Sequence, residues 1–151
     1  MKKKDNRKSS ELETIRKNID SIDEKIQLLI NDRARLAKEI GLTKNKKGSS
    51  TDFYKPERES DVIKSVIHRN DGPLSNDEMV RLFREIMSAC LAQQEPLKIG
   101  FLGPEGTFTQ SAVFKHFGHS VKGLPFGLID EVFQEVEAQT ADFGVVPIEN
   151  S

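Results

Sequence analysis

Residues 11–44, ELETIRKNIDSIDEKIQLLINDRARLAKEIGLTK, decide the fold. Apolar side chains fall at Leu12, Ile15, Ile19, Ile22, Ile26 and Leu29, then at Leu36 and Ile40. The steps alternate three and four, the spacing that lays a continuous apolar seam along one long α-helix. The seam has one break. Between Leu29 and Leu36 the repeat asks for an apolar residue, and the chain has Arg33. A guanidinium turned toward a helical core is costly unless an anion meets it. Arg16 and Lys44 stand four heptads apart and flank the seam on one side. Either of these two, taken alone, also reads as a solvated edge charge. Arg33 does not, because it holds a core slot.

Working outward, Ser9 or Ser10 suits the cap of this helix, with Glu11 and Glu13 at its positive end. Met1 to Lys8 is then a disordered basic tail. After the polar loop NKKGSSTD (45–52), Pro56 suits the first turn of a second helix, with Glu57, Glu59 and Asp61 near its N-terminus. Its apolar face is Val62, Ile63, Val66 and Ile67, and Arg58 and Glu59 sit one turn earlier on that face. Asn70-Asp71-Gly72-Pro73 stops it. Ser75 to Glu78 reads as a capping box for a third helix. The stripe of this helix is Met79, Leu82, Phe83, Ile86 and Cys90, with Gln93 next in line. An amide there reads either as a helix end emerging into water or as one more polar group aimed at the shared core. Pro96 ends the helix.

Composition then changes. Leu97 to Leu102 (LKIGFL) is a short apolar run typical of a buried strand. Gly103 to Thr107 is a turn, a helix follows from about Thr109 to Phe117, and Gly118 stops it. Leu128 to Thr140 reads as another helix, with Ile129, Val132, Phe133 and Val136 on one face. Phe143 to Ile148 (FGVVPI) is a second buried strand. This order opens an α/β domain with a mostly parallel sheet. Two or three strands are too few to cover both faces of such a sheet, so residues 97–151 read as part of an incomplete domain after a helical domain at 9–95.

Composition narrows the classes. With 31% charged and 36% hydrophobic residues among 151, the chain is polar for a single globular core and fits elongated helices. A net charge of -1 gives no reason to expect nucleic acid. No stretch is long and apolar enough to cross a membrane, and the basic start lacks the apolar run of a signal peptide. Cys90 is the one cysteine, which fits a reducing, cytoplasmic setting. His68, His116 and His119 show no metal-ligand pattern.

Three helices of such unequal length do not close into a monomer, so the exposed seam is expected to bury against a second copy, most simply in a two-fold dimer. The polar residues in that core are then Arg16, Arg33, Lys44, Arg58, Glu59 and Gln93, four of them cations. No comparable set of acids faces them, so an internal salt-bridge network would leave charge uncompensated. A small dianion held between the helices on arginine forks resolves this. Glu59 suits a hydroxyl, and Lys44 and Gln93 can donate to an ether or carbonyl oxygen. There is no evident nucleophile with its base, no metal set and no phosphate loop. The pattern therefore points to a reaction that needs only positioning and electrostatics, such as a unimolecular rearrangement of a dicarboxylate.

Ile15-Arg16, Ile22-Asp23, Leu28-Leu29, Arg33, Leu36-Ala37, Glu39-Ile40-Gly41 and Lys44, followed by Pro56-Glu57-Arg58-Glu59, resemble the all-helical AroQ-type chorismate mutases over about residues 10–95. The resemblance implies an intertwined three-helix homodimer, joined through the N-terminal helix, that converts chorismate to prephenate by a Claisen rearrangement without a cofactor. It implies that Arg16 reaches a substrate carboxylate in the partner's site, and that Arg33 binds a carboxylate in its own subunit with Arg58 in support. By the same resemblance Lys44 and Gln93 hydrogen-bond the ether oxygen, and Glu59 takes the ring hydroxyl. Two positions depart from the family. Ala89 stands where members often have serine, with Ser88 adjacent, and Lys55 stands where some carry an acid.

Gly103-Pro104-Glu105-Gly106-Thr107-Phe108-Thr109, with Pro147-Ile148-Glu149-Asn150-Ser151, resembles prephenate dehydratase, whose fold is similar to two-lobed periplasmic binding proteins. The resemblance implies that Gly106, Thr107, Asn150 and Ser151 contribute to binding in the dehydratase lobe, although a plain strand–turn–helix also explains the first motif. A mutase fused to a dehydratase is a known bifunctional arrangement in phenylalanine synthesis. The family's Thr-Arg-Phe motif and regulatory phenylalanine-binding domain lie beyond residue 151. The expectation is therefore mutase activity without dehydratase activity in this chain. Two rival readings remain. One is a helical dimerisation segment serving a sensor, with Arg33 setting register. The other is a periplasmic-type binding lobe, against which the missing signal peptide counts.

Overall fold

The computed structural model describes residues 2–45 and 54–149, with side chains over 7–43 and 54–149. Helix α1 (Lys2–Asn45) is one unbroken rod. At about 1.5 Å per residue it is roughly 66 Å long. It begins earlier than the sequence suggests. Ser9 and Ser10 do not cap it but lie inside it, and the Ser10 carbonyl accepts from Thr14 Oγ1 at 3.0 Å. The expected basic tail is helical from Lys2 onward. No glycine or proline occurs before Gly41, so nothing local stops the helix from running back through good helix formers.

Helices α2 (Pro56–Arg69) and α3 (Asn76–Leu91) follow. Pro56 opens α2 with Glu57 and Glu59 in the first turn. Ser75 and Glu78 form the expected reciprocal capping box on α3. Helix α3 packs against both α1 and α2. The contact face of α1 takes in only the Arg33 position of the apolar seam. Ile30, Arg33, Ala34 and Ala37 are half-buried and Gly41 is buried. A Cβ on Gly41 would stand 2.8 Å from Gln94 Cγ, so glycine sets the approach of α1 to the end of α3. From Leu12 to Leu29 the seam itself faces outward.

The remaining elements are β1 (Lys98–Leu102), α4 (Phe108–Phe117), β2 (Lys122–Phe126), α5 (Ile129–Glu137) and β3 (Phe143–Val145). They form a three-stranded parallel sheet in the order β2-β1-β3, with Phe101 registered against Pro125 on one side and Val145 on the other. β2 has no counterpart among the expected elements. Its sequence, KGLPF, carries a glycine and a proline, which disfavour an internal strand but are tolerated on an edge. The parallel sheet and both flanking helices match the expected architecture. The main core lies here, around Leu97, Ile99, Phe101 and Val113. Tyr54, just before α2, packs against this core with Phe117 and Phe143. In this way the helical part is anchored on the α/β part.

Candidate active site at the junction of the two parts

A cavity of about 480 Å³ opens where α1, α2 and α3 meet the α/β part. Arg33 comes to it from α1, Arg58 and Glu59 from the first turn of α2, and Gln94 from the turn after α3. Arg33 and Arg58 make no ion pair among the described residues. Two guanidinium groups without ion-pair partners, at a cavity whose one lining acid, Glu59, is taken by Arg84, form a ready anion site. Leu36, Ile40 and Val62 supply apolar wall, and the far wall comes from Leu97, Phe117 and Val121.

Glu59 is held from one side. Arg84 Nη1 donates to Glu59 Oε1 at 3.2 Å, with the Glu59 side chain 18% exposed. The same nitrogen donates to the His116 carbonyl at 2.9 Å. Burial pushes the Tyr54 phenol well above its ordinary range, and the Glu59 carboxylate adds to this by its charge and as a hydrogen-bond acceptor. Glu59 is therefore a fixed acceptor between the cavity and the α/β part.

The remaining expected site residues are placed differently. Arg16 is exposed on α1, 17 residues before Arg33, a span of roughly 26 Å along the helix. It does not reach the cavity of its own chain. Lys44 lies in α1, but its side chain is outside the described residues. Gln93 is exposed, with Nε2 donating to the Ala89 carbonyl at 3.5 Å. It is the neighbouring Gln94 that lines the cavity, and its Oε1 is buried without a hydrogen-bond partner among the described residues. Ala89 is exposed. Ser88 is buried and turned toward the α/β part, where its Oγ accepts from the Ser120 amide at 3.3 Å. In the α/β part, Thr107 caps α4 by accepting from the Gln110 amide at 3.4 Å, and the Gly106 amide donates to Gln110 Oε1 at 2.6 Å. Asn150 and Ser151 lie outside the described residues.

Sequence reasoning did not single out Tyr54, Arg84 or Gln94. A signal for Arg84 was present. Val80, Arg84, Met87 and Leu91 run at helical spacing beside the main stripe of α3, and all four are at least half-buried. A helix with two such faces is packed between two partners.

Comparison with known proteins gives the family. The family model for chorismate mutase type II matches residues 15–95, and that for prephenate dehydratase matches residues 99–151. Curated relatives called bifunctional chorismate mutase/prephenate dehydratase include proteins from Stutzerimonas stutzeri, Aquifex aeolicus and Escherichia coli K12. The first is 53% identical over 146 residues, which cover 95% of this chain and 40% of the relative. The second is 42% identical over 145 residues, 93% of this chain and 40% of the relative. The third is 30% identical over 155 residues, 91% of this chain and 39% of the relative. The chain thus spans about 40% of the length of the curated relatives it matches. Its first family match takes in α2, α3 and all of α1 from Ile15, more than half of the sequence, and the chain belongs to the type II chorismate mutase family.

Proposed function

We propose that this chain rearranges chorismate to prephenate, without a cofactor, as a cytoplasmic homodimer in the branch of aromatic amino-acid synthesis that leads to phenylalanine. The observation that carries the reading is the meeting of Arg33, Arg58 and Glu59 at one cavity within the family-matched segment. Chorismate carries two carboxylates, a ring hydroxyl and an ether oxygen. Arg33 and Arg58 bind carboxylate and so select the compact conformer in which the two reacting carbons approach. Glu59 accepts from the ring hydroxyl. The C–O bond breaks as the C–C bond forms, and negative charge grows on the ether oxygen. Donors placed there before the reaction stabilise that charge without reorganising. Lys44 and an amide of the Gln93-Gln94 pair fill this role. Gln94 is supported by its place in the cavity, and Gln93 by its position on the outer face, where a second copy would lie.

The dimer is supported by the outward seam of α1. Every described residue from 7 to 29 on that helix is exposed, including Ile15, Ile19 and Ile22. A second copy packed along it would bury these side chains and carry its Arg16 to the partner's cavity. In the α/β part, Gly106 and Thr107 with Asn150 and Ser151 are proposed to bind prephenate in the complete bifunctional protein. The test is the loss of chorismate absorbance on adding the chain, with no metal or cofactor present. Active protein is expected, and Arg33→Ala is expected to lose about 100-fold or more in kcat/KM while staying helical. A folded chain that leaves chorismate intact overturns the reading.

A further inference from the structure

We propose that Arg84 is a positioning residue for this site, fixing the Glu59 carboxylate and tying it to the α/β part. The inference rests on the mutase reading above. One guanidinium nitrogen, Nη1, donates both to Glu59 Oε1 at 3.2 Å and to the His116 carbonyl at 2.9 Å. The His116 carbonyl belongs to the last turn of α4, so the carboxylate on α2 is linked through α3 to the α/β part. Arg84 is 27% exposed and does not line the cavity, so it acts on substrate only through Glu59. Arg84 holds Oε1, and the lone pairs that Arg84 and the Tyr54 phenol leave on the carboxylate can accept from a substrate hydroxyl, in a direction set by these contacts.

The contact that seats Arg84 is extensive. Glu85 on the next position accepts from the His119 ring at 2.7 Å and from the His119 amide at 3.1 Å. Ser88, one turn on, accepts from the Ser120 amide. Arg84, Glu85 and Ser88 thus grip residues 116–120 as one face of α3. Tyr54 closes the other side of Glu59, with its ring 5.3 Å from Phe143 and 6.0 Å from Phe117. The α/β part therefore does more than follow the helices in sequence: it supplies one wall of their cavity and anchors the arginine that aims its carboxylate.

The test is steady-state chorismate turnover by the full chain carrying Arg84→Met, Glu59→Ala or both, with helicity and thermal unfolding followed for each. Arg84→Met is expected to lower kcat/KM about 10- to 100-fold. Adding it to Glu59→Ala is expected to cost nothing further, because the group it positions is gone. Arg84→Lys keeps a charge and a multiple donor for Glu59, on a shorter side chain without the planar fork. It is expected to recover part of the loss, and it carries the same cycle if the methionine variant does not fold. Additive losses in the cycle, or a folded Arg84→Met chain as active as the parent, overturn the inference while the mutase reading stands. A parent chain inert toward chorismate overturns both.

Discussion

At the scale of single residues, Tyr54 gives the cleanest readout, because it is the one tyrosine in a chain without tryptophan. Burial first and Glu59 second push its phenol above the ordinary value of about 10. The folded state then holds this proton more tightly than the unfolded state does. The resulting stability is fully present below the unfolded value and is lost as pH rises through the folded one. Phenolate absorbance on alkaline titration is expected to rise well above pH 10, together with unfolding. Glu59→Gln is expected to bring the rise partly back, since burial, the larger cause, remains. A phenol that ionises near 10 in the folded chain means that Tyr54 stands in water and the junction is open. Much of the site was legible at this scale. Arg33 broke a strict apolar repeat, and Arg58 and Glu59 stood one turn before the apolar residues of α2 on the same face. The choice between Gln93 and Gln94 was not legible. The last turn of α3 loosens before Pro96, and adjacent residues there are separated by local backbone geometry rather than by helical period. Lys44 was legible as a spaced cation, but its side chain is outside the described residues.

At the scale of elements, α3 and the end of α4 meet through Gly118, and two constraints fall on that glycine together. Its φ is 78° and its ψ 177°, a conformation essentially reserved for glycine. A Cβ there would also stand 2.5 Å from Ser88 Cβ. Gly106 shares the first constraint, with φ 82°, but nothing lies within 4 Å of its Cβ position. Gly106→Ala is expected to cost strain alone, about 1–3 kcal/mol. Gly118→Ala adds a clash across the junction, and the larger fall in melting temperature is expected there, together with weaker chorismate turnover as the wall at Ser88 and Ser120 shifts. Thermal unfolding of the two variants side by side checks this, and equal shifts would mean that α3 and α4 can part at no cost. The glycine was readable as a helix stop, and its φ agrees with that reading. What it packs against was not readable, because the partner lies 30 residues earlier on another helix. The same limit explains β2. An edge strand needs no continuous apolar run, and only its pairing with β1 defines it.

At the scale of the whole molecule, the two parts are stabilised differently. The α/β part has a core of its own in Leu97, Ile99, Phe101 and Val113, whereas Val66, Ser88 and Cys90 are the buried side chains of α2 and α3. Along α1, Leu12, Ile15, Ile19, Ile22, Ile26 and Leu29 are each about half exposed or more. Six large apolar residues exposed on one face of a helix are the sign of a partner surface, and a heptad seam fits a second copy of itself. The heptad pattern was fully visible in the sequence, but which of its faces would meet α3 was not. The small residues Ala34, Ala37 and Gly41 allow the close approach, and the large ones are left for the partner. If each cavity joins its own Arg33 to the partner's Arg16, the two defects lie in different chains of one site. Arg16→Ala and Arg33→Ala homodimers are each expected to be nearly inactive. When the two are mixed and allowed to exchange subunits, half of the dimers are mixed, and one of the two sites in each has both arginines. Activity is therefore expected to rise to about a quarter of that of the parent chain. Recovery on mixing would require a shared site, because no exchange of whole subunits restores a site built within one chain. If mixing restores nothing although energy transfer between differently labelled chains shows that the dimers have exchanged, Arg16 does not serve the partner's cavity and the seam only joins the two copies.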